Sequence, residues 1–147
     1  KKMTKVFEHI LVPYNGTGGS NKSFRKAVSL ASLIDSKVTV LTCLEERPTF
    51  GFFKTKTSKK EFEKERKLVE KQHLELEKLA KKHDLPFSSK TVKNGLASML
   101  ILDFAKKHDV DLIIMTKTKL SSTYEKMHHH STIENVFRNA HCPILIL

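Results

Sequence analysis

Residues 6–44, VFEHILVPYNGTGGSNKSFRKAVSLASLIDSKVTVLTCL, decide the fold. Val6 to Pro13 reads as a strand with the apolar centre Ile10-Leu11-Val12. Pro13 breaks it, and Asn15, Gly16, Gly18 and Gly19 make a flexible turn. Phe24, Ala27, Val28, Ala31 and Ile34 then recur at helical spacing between about Ser20 and Asp35. Lys37 to Leu44 (KVTVLTCL) returns to residues that favour strands. Strand, helix and strand in this order form a βαβ unit, which predicts a parallel sheet covered by helices.

The alternation continues outward from that unit. Glu45 to Ser58 holds Pro48, Gly51 and part of a lysine-threonine tract, KTKTSKK, without apolar periodicity, and reads as a mobile loop. Phe62, Val69, Leu76 and His83 recur every seven residues, joined by Leu79 and Ala80, which predicts an amphipathic helix to about His83. The pattern ends at Asp84-Leu85-Pro86, after about three heptads, which suits a helix on a sheet better than a coiled coil. Phe87 to Val92 is a weaker, polar strand near an edge, and Asn94-Gly95 turns the chain. Leu96 to His108 reads as a helix, Asp111 to Thr116 (DLIIMT) as a central strand, Ser131 to Asn139 as a short helix, and Cys142 to Leu147 (CPILIL) as the last strand.

This sums to a single three-layer α/β domain over residues 1–147, with five parallel strands and four helices. Right-handed crossovers favour the flavodoxin-like strand order 3-2-1-4-5. In that order a crevice opens between the first and fourth strands at their carboxyl ends, where open α/β sheets bind ligands. The segments there are Pro13 to Ser20, Cys43 to Arg47, Asn94-Gly95 and Thr116 to His130. Cys43 and Cys142 fall about three strand spacings of ~4.8 Å apart, beyond the reach of a disulfide, and suit reduced thiols.

Composition narrows the function classes. The 147 residues are 39% hydrophobic, enough for one core, and no apolar run approaches the roughly 20 residues of a membrane span. After the basic start, Ile10-Leu11-Val12 is too short for a signal-peptide core, so a cytoplasmic location is expected. A formal charge of +11 raises the question of an anionic partner. The only arginines are Arg25, Arg47, Arg66 and Arg138, and there is no tryptophan. The surplus is lysine, which favours a solvated surface over dedicated nucleic-acid recognition.

Gly16 to Ser23 (GTGGSNKS) follows a strand and enters a helix, as a phosphate loop does. Asn21 stands at the second required glycine of a P-loop, the third glycine of a dinucleotide fingerprint is missing, and Asp111 precedes its strand where a magnesium ligand should follow it. A tight turn with a helix cap is the better reading. Lys117 to His130 (KTKLSSTYEKMHHH) leads into Ser131-Thr132-Ile133-Glu134, whose Ser-x-x-Glu spacing is that of a capping box. The expected helix start, with Lys117, Lys119 and Ser131 beside it, is a candidate anion site. His128-His129-His130 point in different directions and make no metal set; they serve better as cations near an anion. A Ser-His-Asp hydrolase lacks its Gly-x-Ser-x-Gly elbow.

Three motifs in order carry a resemblance. His9-Ile10-Leu11-Val12-Pro13-Tyr14-Asn15-Gly16, then Gly95-Leu96-Ala97 through Asp111-Leu112-Ile113-Ile114-Met115, then Ser131 to Arg138 with Cys142-Pro143-Ile144-Leu145-Ile146-Leu147, together resemble the universal stress protein family along the whole chain. The resemblance implies a Rossmann-like domain of the adenine nucleotide alpha hydrolase-like kind, usually a dimer. In the nucleotide-binding branch it also implies ATP in the crevice. Carried over by position, adenine and ribose would contact Pro13, Asn15, Cys43 and Met115, with phosphates near Thr116, Lys119, Ser131 and Thr132. That branch has Gly-x-x-Gly, nine residues, then Gly-Ser or Gly-Thr. This chain reads Thr116-x-x-Lys119, ten residues, then His130-Ser131, and Asn15 stands where an aspartate is expected.

Glycines in a phosphate loop allow positive φ and close backbone approach; lysine and histidine bring charge instead. The expectation is a sensor or regulatory module that binds ATP, another adenine nucleotide or a related small phosphorylated ligand, with no structural metal and at most incidental, slow ATP hydrolysis. A homodimer should form through the C-terminal strand Ile144 to Leu147. The rival readings are a dimeric interaction protein that binds no nucleotide and, behind it, a lysine-driven nucleic-acid binder.

Overall fold

The computed structural model describes residues 6–44, 56–117 and 123–147, with main chain alone for 56–58 and 123–126. Strands and helices alternate as β1 (His9–Pro13), α1 (Gly18–Ile34), β2 (Lys37–Leu44), α2 (Lys56–Lys82), β3 (Phe87–Lys93), α3 (Ala97–Lys107), β4 (Leu112–Met115), α4 (Thr123–Asn139) and β5 (Ile144–Ile146). The strands form one parallel sheet in the order β3-β2-β1-β4-β5, as the sequence pattern predicts. β4 and the Ile10-Leu11-Val12 centre of β1 are apolar because they lie in the middle of the sheet and are covered on both faces. The polar β3 is an edge strand.

Side chains alternate across the sheet and build two cores. Ile10, Val12, Val38, Val40, Leu112 and Ile114 pack against Phe24, Ala27, Val28 and Ala31 of α1 and Leu76 of α2. Leu11, Leu41, Ile113 and Met115 pack against Ile101, Phe104 and Ala105 of α3 and Ile133 and Val136 of α4. Helices on both faces with a sheet between them make the three layers. Among the described residues, no helix is long and apolar enough to cross a membrane.

The amino edge of the sheet is closed by polar contacts. The Asp111 carboxylate accepts from the amides of Glu8 and His9, each at 2.8 Å, and so ties the start of β4 to the start of β1. The His9 ring donates from Nδ1 to the His108 carbonyl (2.9 Å), so its Nε2 accepts from Thr39 Oγ1 (2.6 Å), which accepts in turn from Ser88 (2.7 Å). Burial of this ring pushes its pKa below the ordinary value, against the His108 carbonyl, which raises it. At the same edge the chain passes the ends of α1, α2 and α3 through Asp35 (φ 60°), Asp84 (φ 51°) and Asp109 (φ 51°). All three adopt the left-handed conformation that glycine most often supplies at such ends.

Two helices start earlier than the sequence reading places them. α2 begins at Lys56, inside the stretch read as loop; the rest of that loop, residues 45–55, lies outside the described residues. α4 begins at Thr123 instead of Ser131. No glycine or proline stands between Lys117 and Ser131 to stop a helix, and Glu125, Lys126 and Met127 are good helix formers. The Ser-x-x-Glu spacing also occurs at Ser122 and Glu125, immediately before the observed start. Cys43 and Cys142 are both outside any disulfide, two intervening strands apart in the sheet order, and burial pushes the Cys142 thiol pKa up.

Candidate functional site

The crevice lies where β1 and β4 separate at their carboxyl ends. Their register pairs Ile10 with Leu112 and Leu11 with Ile113, so carried on it sets Pro13 beside Met115. Each strand then leads through a turn toward a helix, and the two turns are built differently.

The first turn is tight. The Asn15 side-chain oxygen accepts from the Thr17 amide (3.1 Å) and hydroxyl (2.6 Å), and Thr17 caps α1 by accepting from the Ser20 amide at 3.3 Å. Gly16 between them sits at φ 80°, and a Cβ built there would come within 2.5 Å of Gln72 Nε2 on α2. Glycine is required here by conformation, and the Gln72 amide would have to move aside for any Cβ. One residue along α2, His73 is buried over the end of β2. Thr42 Oγ1 gives its single proton to the Tyr14 carbonyl (2.9 Å), so His73 Nε2 must donate to that oxygen (2.8 Å). Burial lowers the His73 pKa, which suits a neutral ring. The Tyr14 hydroxyl donates to Asn21 Oδ1 (2.7 Å), and burial raises its pKa.

The second turn follows β4. Thr116 is buried, its hydroxyl paired with that of Ser23 on α1, and its carbonyl accepts from His129 Nε2 at 3.0 Å. The Lys117 amide donates to the Leu147 carbonyl (3.1 Å), while its side chain is exposed. His129 marks where α4 meets the carboxyl edge of the sheet. The six residues before it, from Thr123, carry the helix start roughly 9 Å farther out at 1.5 Å per residue.

The helix start expected at Ser131 is thereby corrected to Thr123. Ser131 is exposed more than two turns inside α4, where its amide belongs to the helix ladder. Glu134 does not reach back to cap; it pairs with Arg138 at 2.7 Å. Thr132 donates to the His128 carbonyl (3.1 Å), and His130 is exposed. The first turn of α4, where amides have no partner within the helix, lies at Thr123 and not at Ser131.

Of the other expected residues, Pro13, Cys43 and Met115 fall on the α3 and α4 side of the sheet at its carboxyl edge, with Cys43 Sγ 3.9 Å from the Ala97 carbonyl. Asn15 is committed within its own turn, and Lys119 lies outside the described residues. Sequence reasoning missed Gln72 and His73, and it placed His129 among cations near an anion without its bond to the Thr116 carbonyl. His73 was within reach, because Val69, His73, Leu76 and Ala80 share one helical face and all four are buried. The His129 contact was hidden by the misplaced helix start. A depression of about 370 Å³ lies on the first half of α2, lined by Lys59, Lys60, Glu63, Lys64 and Lys67 and none of the crevice residues.

Known proteins agree with this architecture. The model of the universal stress protein family matches residues 7–147. A universal stress protein of Methanocaldococcus jannaschii is 26% identical over 145 residues, covering 97% of this chain and 82% of the relative. Among solved structures, UspA from Lactobacillus plantarum superposes with a TM-score of 0.80 at 20% identity, over 95% of this chain and 97% of that one. The Archaeoglobus fulgidus universal stress protein in complex with dAMP gives 0.67 at 12% identity, over 97% and 98%. A match that runs from β1 through β5, on a sheet with the strand order its motifs imply, leaves one assignment: the chain belongs to the universal stress protein family.

Proposed function

We propose that this chain is a regulatory module of the stress-protein type whose crevice is closed by its own side chains against a nucleoside phosphate tail. The observation that carries this reading is the unbroken course of α4 from Thr123 to Asn139, with His129 on the Thr116 carbonyl. An anion seated at Ser131 would have to compete with helix hydrogen bonds already made. Action without turnover is supported by Asp111, the carboxylate beside β4, which is bound to two amides at the opposite edge of the sheet. Among the described residues β5 pairs with β4 on one side only, and Leu145 on it is 38% exposed, so a second copy has an edge to extend. The working form on this reading is a cytoplasmic homodimer that acts through docking.

Equilibrium dialysis against labelled ATP and AMP up to millimolar concentration tests it. No saturable uptake is expected. Stoichiometric uptake of either nucleotide at micromolar concentration would overturn it.

A second reading has its own support. Solved neighbours of this fold are complexes with cAMP, dAMP and AMP, and the first turn keeps a left-handed Gly16 beside the crevice. On this reading an adenine nucleotide binds when α4 unwinds between Thr123 and Ser131. Helical circular dichroism must then fall in proportion to occupancy.

A further inference from the structure

α2 faces the sheet with Val69, His73, Leu76 and Ala80, all buried. At 100° per residue, Lys60, Lys64, Lys67, Lys71, Lys78 and Lys82 fall within about 60° of arc on the opposite side of the helix. All six are exposed. The row runs roughly 33 Å along the axis at 1.5 Å per residue. The acidic residues of α2 lie off it or at its borders: Glu70 pairs with Arg66 (3.6 Å), Glu77 with Lys81 (3.5 Å), and Glu75 and Glu63 flank the row on opposite sides. Like charges three and four residues apart repel, so the row is unfavourable for the helix alone.

We infer that this row is a docking surface for the phosphate backbone of double-stranded nucleic acid, held without sequence preference. Its length is close to one turn of a duplex, about 34–36 Å. Each lysine that neutralises a phosphate releases condensed counterions, a gain that a polyanion provides and an isolated carboxylate does not. A protein partner is the poorer match, because lysine is depleted from the cores of protein interfaces. The exposed Leu68 and Leu74 lie on opposite flanks of the row, without an apolar centre between them. No arginine, asparagine or glutamine stands in the row to read base edges, so sequence would not matter. The surface owes nothing to the crevice and stands whether or not a nucleotide binds there.

Fluorescence anisotropy with a labelled 20-base-pair duplex, titrated between 50 and 200 mM NaCl, tests this. Binding is expected to fall with salt at a log-log slope near −5, about −0.9 for each lysine engaged. The combined variant Lys60→Gln, Lys64→Gln, Lys67→Gln and Lys71→Gln should lower that slope by about 3 to 4 and weaken binding more than tenfold. Replacing the same four by arginine should preserve binding. A control with Lys22, Lys26, Lys37 and Lys106 changed to glutamine removes equal charge elsewhere and should leave the slope within about one unit of the original. Circular dichroism checks that each variant is folded. Equal losses in the row variant and the control, no binding at 50 mM, or tighter binding to polyglutamate or to anionic vesicles than to the duplex would each overturn the inference.

Discussion

The two turns that border the crevice leave neighbouring strands at the same edge, yet one stops its helix close to the sheet and the other lets it run outward. After β1, Gly16 in the left-handed region and Thr17 as a cap start α1 within five residues of Pro13, at Gly18. After β4 no glycine intervenes, and α4 begins at Thr123, beyond the sheet edge. The difference shows what glycines contribute at such a place. They let the chain reverse early enough for helix amides to face the crevice; without them the same amides form helix bonds or stand outside.

Breaking the tight turn should have the largest effect. Gly16→Val puts a β-branched residue at φ 80° and drives its Cβ against Gln72, at a cost of about 2–4 kcal/mol and a melting point lower by on the order of 10 °C. Adding Gln72→Ala should recover only the steric share.

The same turn should also be the acid-sensitive one, through His73. Burial holds its folded pKa below the ordinary 6.5, and His9 at the other edge behaves alike. Below pH 6.5 the unfolded chain binds protons that the folded chain does not, so the stability these rings contribute is fully present above that value and is lost as pH falls through their folded pKa. Melting curves from pH 7.5 to 5 should therefore shift downward. His73→Gln, which keeps a donor for Thr42, should flatten that dependence; an unchanged slope would show that the ring does not titrate as described.

The smallest effects separate the two helix starts directly. Thr17→Ala removes a cap and should cost about 1 kcal/mol, whereas Ser131→Ala, on the exposed side of an established helix, should stay within about 0.5 kcal/mol. Equal losses in chemical denaturation would mean that Ser131 caps after all and that α4 begins there.

Strand positions and their order were legible because central strands must be apolar on both faces, and Ile10-Leu11-Val12 and Leu112 to Met115 are. The first turn was legible because Asn15, Gly16 and Thr17 carry their own conformational instructions. The second was not. Ser131 and Glu134 have capping-box spacing, but the spacing alone cannot say whether a helix is already under way, and the residues upstream favour helix. The burial of His73 was readable from its helical face, but the contacts of Gln72 and His73 were not: both arrive from α2, which is distant in sequence, and only tertiary packing brings them to Gly16 and Thr42.

The aspartates at positions 35, 84 and 109 bear on how much change this scaffold can absorb. Each accepts an unfavourable backbone geometry and adds negative charge beside the negative pole of a helix. Glycine at positions 84 and 109 would relieve both penalties, offset in part by the larger backbone entropy glycine loses on folding, for a net gain of roughly half a kcal/mol apiece. The fold thus holds an untapped reserve on the side away from its crevice, where an engineer could draw margin for remodelling α4 without disturbing the surface being remodelled.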